Sequence, residues 1–86
     1  MPKIIVVADA SPVIALSDID ALWILRELYE IIYLTDVVRQ EIEASLPTWF
    51  TVVDNYDQDT FKTLKENLDA GEASAITYAK EIGDCL

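Results

Sequence analysis

Histidine is absent from this chain of 86 residues, and cysteine occurs once, as Cys85. The first absence excludes Ser-His-Asp and Cys-His catalysis, imidazole acid–base chemistry and most zinc or copper sites. The second excludes an intrachain disulfide and a cysteine zinc cage. Long apolar runs are missing too: no stretch reaches the roughly 18 residues that span a bilayer. The opening "MPKIIVVADA" has one Lys and a short apolar run broken by Asp9, which does not make a signal peptide. A cytoplasmic protein is expected. Bases are scarce. Six Lys and Arg stand against sixteen Asp and Glu, for a formal charge of −10. Such a surface repels nucleic acid unless cations or a basic partner intervene. Any chemistry must rest on carboxylates.

What is present is apolar: 52% of residues, rich in Ile, Val and Leu, enough for one globular domain and no more. Ile4 to Ala8 reads as a strand buried on both faces, continuous and β-branched as in parallel sheets. Ser11-Pro12 fits a helix start, with Ser as cap and Pro at the first helical position. Ser17 or Asp18 can cap a second helix, in which Leu22, Leu25, Leu28 and Tyr29 form the stripe while Trp23 and Ile24 lie off it. Ile31 to Leu34 is a second strand. Thr35 or Asp36 caps a third helix running to about Ala44. Phe50 to Val53 is a third strand. Asp57 or Asp59 opens a fourth helix carrying Phe61, Leu64 and Leu68. Asp69 opens a fifth, with Ala75, Ile76, Ala79 and Ile82 apolar and Gly83 as its stop. Strands alternating with helices predict an α/β fold around a short parallel sheet.

Three acids sit where acids are unexpected. Asp9 ends the first strand, at the edge where open α/β sheets bind ligands; it can equally cap the helix that follows. Glu41 falls beside Ile42 and three residues after Val38, so helical spacing turns it towards the sheet unless it bends out to solvent. Glu72 begins the series 72, 75, 76, 79, yet Asp69-Ala70-Gly71-Glu72 also has capping-box spacing. Burying isolated carboxylates costs several kcal/mol each unless a partner compensates. None of the six bases falls inside an apolar seam. A divalent cation is the simplest compensator, and an all-oxygen donor set suits Mg²⁺ or Mn²⁺.

The stretches "VVADASPVIAL", "IIYLTDVVRQEI" and "LDAGEASAITYAKEIG" together resemble a PIN domain, specifically the toxin type of bacterial and archaeal toxin–antitoxin pairs. That resemblance implies an incomplete PIN-like three-layer α/β fold and a Mg²⁺- or Mn²⁺-dependent endoribonuclease acting on RNA and neutralised by a cognate antitoxin. It matches Asp9, Glu41 and Glu72 to the family's catalytic, metal-holding acids, and Ser11 to a supporting hydroxyl. The family continues into a further strand with another acid, whereas this sequence stops at Cys85-Leu86. Residues 1–86 are therefore expected to be the N-terminal portion of a single PIN-like domain, with little or no nuclease activity alone. An unpaired first strand then predicts a homo-oligomer formed through that edge. The alternative function is a non-catalytic interaction module, binding an antitoxin through Ala21 to Leu34 or self-associating. A phospho-acceptor receiver fits poorly, because "VVADAS" offers one acid where two adjacent ones are needed.

Overall fold

The computed structural model describes residues 4–82. Its elements are β1 (Ile5–Val7), α1 (Ala10–Asp18), α2 (Trp23–Leu28), β2 (Ile31–Thr35), α3 (Asp36–Glu41), β3 (Phe50–Val53), α4 (Gln58–Lys65) and α5 (Ala70–Ile82). The strands form a parallel sheet in the order β1-β2-β3, flanked by helices, as the alternating pattern predicts. Ile5 pairs with Ile31 and Val7 with Tyr33, while Ile32 pairs with Phe50 and Thr35 with Val53. Gly83 and Cys85 lie outside the described residues. Among the described residues no helix is long and apolar enough to cross a membrane.

Strand alternation divides the sheet into two faces. Val6, Ala8, Ile32, Leu34 and Phe50 belong to one, in a cluster with Val13, Val38 and Ile42 and with Leu22 and Leu25 packed against it. Val7, Tyr33 and Thr35 belong to the other, which α5 covers. Tyr33 meets Tyr78 of α5 edge-on at 5.2 Å, and the Thr35 hydroxyl lies 2.6 Å from that of Ser74.

Several boundaries differ from the sequence-based expectation. The cap of α1 is Asp9, whose Oδ1 accepts from the Ala10 N–H at 2.8 Å; Ser11 is the exposed second helical residue and Pro12 the third. Proline is harmless there because first-turn N–H groups have no helical partner anyway. The helix then continues through Ser17 and Asp18 instead of restarting at them. It ends where Asp20 takes a left-handed φ of 58°, the Asp20 N–H bonding the Ser17 carbonyl and the Ala21 N–H the Leu16 carbonyl. That is a Schellman stop with Asp in the position glycine usually fills. α2 begins without a side-chain cap, and Leu28, assigned to its stripe, is 56% exposed.

α3 stops at Glu41, not near Ala44. Ile42 turns extended (φ −96°, ψ 112°) to place its side chain in the core, and Arg39 Nη1 bonds the Ile42 carbonyl at 2.8 Å. Core burial outweighs one more helical turn. The buried face of α5 also departs from expectation: it is Gly71, Ala73, Ser74, Ala75 and Thr77, while Ile76 is 48% exposed. Small residues let α5 approach α3 and β2 closely. Their hydroxyls are satisfied within the helix, Ser74 donating to the Gly71 carbonyl at 2.8 Å and Thr77 to the Ala73 carbonyl at 2.7 Å. Among the described residues no buried side-chain nitrogen or oxygen lacks a partner.

These bonds fix the direction of the Thr35–Ser74 contact. The Ser74 proton is committed to Gly71, so the Thr35 hydroxyl donates to Ser74 and its oxygen accepts from the Val38 N–H at 3.2 Å. One continuous chain thus joins the start of α3 to the first turn of α5. Nearby, the buried Tyr56 phenol donates to Asp36 Oδ1 at 2.7 Å; burial, and then that carboxylate, hold it well above its ordinary pKa.

Thr35→Val removes a buried donor and the cap of α3 together. It is expected to cost about 1–3 kcal/mol in chemical denaturation. Adding Ser74→Ala should cost less than the two single changes summed, because both act on one bonded chain. Strict additivity would show the contact to be incidental.

Candidate functional site

Asp9 follows Val7 by two residues, so the pleat directs it to the face that α5 covers. There Val7, Asp9, Glu72, Ala75, Ile76 and Ala79 line an open pocket of about 260 Å³. Asp9 is half-buried, and its bond to the Ala10 N–H occupies only Oδ1. The two readings of this residue are therefore compatible: it caps α1 and faces the pocket.

Glu72 is the third residue of α5. Its N–H donates to Asp69 Oδ1 at 2.8 Å, which is the Asp69 half of a capping box. The Glu72 carboxyl faces Asp69 as well. A hydrogen bond to Asp69 and then the Asp69 charge raise its pKa, followed by burial and the negative charges of Asp9 and Glu41. Asp69 moves the opposite way, lowered first by the Glu72 N–H. The two acids of this pair thus shift apart, Glu72 upwards and Asp69 downwards.

Glu41 does not face the sheet as helical spacing suggested. It is exposed as the last residue of α3, and its carboxylate lies against Gly71: a Cβ on Gly71 would meet Oε2 at 2.6 Å and Oε1 at 2.9 Å. Termination of α3 explains the difference, since Ile42 leaves the helix to fill the core and the seam ends there. The position suits the charge. The C-terminus of α3 disfavours an acid, whereas the first turn of α5 is the positive end of a helix of thirteen residues.

The structure thus brings Asp9, Glu41 and Glu72 to one rim, close enough for Glu72 to register both other charges. They do not converge tightly. Among the described residues no three His, Cys, Asp or Glu side chains are arranged to hold a metal ion. Ser11 is exposed in the first turn of α1. Two contributors escaped the sequence reading, Gly71 and the Thr35–Ser74 pair. Ser74, three residues after Gly71 in a run of small residues, was the only hint of close helix packing.

A family model described as a PIN domain matches residues 5–86. The chain belongs to the PIN-domain family. No curated protein and no solved structure matches it. PIN domains form a nuclease-like superfamily and generally work with divalent metals. The donors on this PIN domain's rim suit such an ion: all are carboxylate oxygens, the hard ligands that Mg²⁺ and Mn²⁺ prefer. Among the described residues the pocket lining contains no base, and the Arg39 guanidinium is turned to the Ile42 carbonyl.

Asp69→Asn tests the electrostatics directly. Asparagine still caps the helix but carries no charge. The Asp69 charge then vanishes while a hydrogen bond can persist through the amide, so the Glu72 midpoint should fall yet stay raised. Carboxyl-carbon NMR titration reads this. An unmoved midpoint would remove Asp69 as the cause.

Proposed function

We propose that this PIN domain is of the toxin type, related to metal-dependent endoribonucleases, with Asp9, Glu41 and Glu72 as the acids that hold Mg²⁺ or Mn²⁺. One observation carries the reading. Asp9 and Glu72 line a single pocket, and the Glu41 carboxylate lies on Gly71, the residue next to Glu72. A bound ion supplies an activated water and stabilises the oxyanion of phosphodiester cleavage. The chain's own residues do the rest. The Ala10 N–H holds one Asp9 oxygen and orients the other, and Asp69 holds the start of α5 so that Glu72 stays at the rim. Val7 and Ala79 supply apolar walls beside these acids. A chain of charge −10 repels RNA, so substrate approach depends on the cation as much as cleavage does.

Mn²⁺ titration by calorimetry tests the assignment. Asp9→Asn should weaken binding by more than about tenfold, since even partners outside the ligand set are worth that much. Any cleavage of single-stranded RNA should require added Mn²⁺ and vanish in the same variant. Wild-type protein with no measurable Mn²⁺ affinity would sink the reading.

A second reading, an interaction module that binds an antitoxin or self-associates, is favoured by exposed apolar surface. Ile19, Trp23 and Leu28 are 71%, 58% and 56% exposed around α1 and α2, and β1 is an edge strand preceded by exposed Ile4. Apolar edges recruit other strands unless charge blocks them. Light scattering should give a mass above 9.7 kDa that returns to the monomer in Ile4→Lys. A monodisperse wild-type monomer would eliminate self-association through β1.

A further inference from the structure

Gly71 is the second residue of α5, and its φ lies outside the left-handed region. Its backbone is therefore one that any L residue adopts, and glycine is the poorest helix former after proline. Local conformation gives no reason for glycine here. The reason lies across the helix pair. The three heavy atoms nearest to a Cβ on Gly71 would be Glu41 Oε2 at 2.6 Å, Oε1 at 2.9 Å and Cδ at 3.0 Å, all of one carboxylate.

We infer that Gly71 is a positioning residue: the space of its missing side chain is the seat of the Glu41 carboxylate, which it holds at the rim beside Glu72. The part concerning a cation rests on the metal-binding reading just proposed; the seating of Glu41 does not. The mechanical argument is specific. Glu41 presents the far end of a flexible side chain, which can rotate away from a new methyl group without moving either helix. A methyl at position 71 therefore costs the fold little and favours the helix, while it evicts the acid. Stability and site geometry should respond in opposite directions, which a packing role alone would not produce.

The experiment compares wild type with Gly71→Ala by thermal melting, by the Glu41 carboxyl-carbon resonance at neutral pH without metal, and by Mn²⁺ calorimetry. The expected result is a melting temperature equal to or above wild type, a shifted Glu41 resonance and Mn²⁺ affinity weakened by about tenfold or more. Gly71→Ala with Glu41→Asp, whose shorter side chain clears the methyl, should recover part of the affinity. Wild-type resonance in a folded Gly71→Ala would overturn the inference, as would unchanged Mn²⁺ affinity. Absence of Mn²⁺ binding by wild type would defeat the metal reading instead, and the metal-free resonance would still decide the seating of Glu41. Should Gly71→Ala fail to fold, adding Glu41→Ala decides: restored folding identifies Glu41 as what excludes a side chain at 71, and continued failure overturns the inference.

Discussion

A hydroxyl chain holds the two acid-bearing helices of this domain in register. The Thr35 oxygen receives the first turn of α3, the Thr35 proton goes to Ser74, and the Ser74 proton goes to the Gly71 carbonyl. In that arrangement the chain runs one way, from the Val38 N–H to the Gly71 carbonyl. Thr35 and Ser74 are fully buried, and an unmade hydrogen bond there costs far more than at the surface. One end fixes the helix that finishes at Glu41, and the other fixes the turn that carries Gly71 and Glu72. An apolar contact in its place would hold the helices together yet let them slide, and the rim needs their offset kept.

The second constraint is charge. Three carboxylates share a rim on a chain already at −10, and helix ends keep each within a tolerable environment. Asp9 accepts the first N–H of α1, Asp69 accepts from the first turn of α5, and Glu41 lies over that same turn. Helix N-termini stabilise negative charge by modest amounts, enough to orient an acid but not to neutralise it. Glu72 itself lies in the first turn of α5. Its pKa is raised first by the hydrogen bond to Asp69 and the Asp69 charge, and least by Asp9 and Glu41. Asp9 and Asp69 thus cap their helices while Asp9 and Glu72 still face one pocket.

Much of this was legible in the chain. The three strands were placed to within a residue or two because continuous β-branched runs bounded by Asp and Pro have few other readings. A cap at Asp57 or Asp59 for α4, filled by Asp57, and Asp69 at the head of α5 also followed from local chemistry, since short acids before helical runs cap them. What the sequence concealed was tertiary. Ile42 ends α3 early for the sake of the core, and a window of helical spacing has no term for that competition. Glu41 was singled out for the wrong reason: it proved unusual through its approach to α5, not by pointing at the sheet. Ser74 and Thr77, absent from the apolar face read from spacing, are among the most buried residues of α5, and each bonds a carbonyl of its own helix. Polar composition does not reveal this; only the closeness of the neighbouring helix does.

That closeness explains where the large apolar residue of α5 went. With Gly71, Ala73, Ser74, Ala75 and Thr77 turned inwards, no room remains on that face for Ile76, which stands at the pocket wall with Val7, Ala79 and the two acids. Apolar walls beside carboxylates have an electrostatic consequence: they displace water that would screen the charges, and they concentrate the field at the opening. Small residues on the inner face and an isoleucine at the rim are in this sense one design. The first lets α5 approach until Glu41 reaches Gly71. The second stands in the wall of the pocket that Asp9 and Glu72 share, where apolar surface screens their charges less than water would.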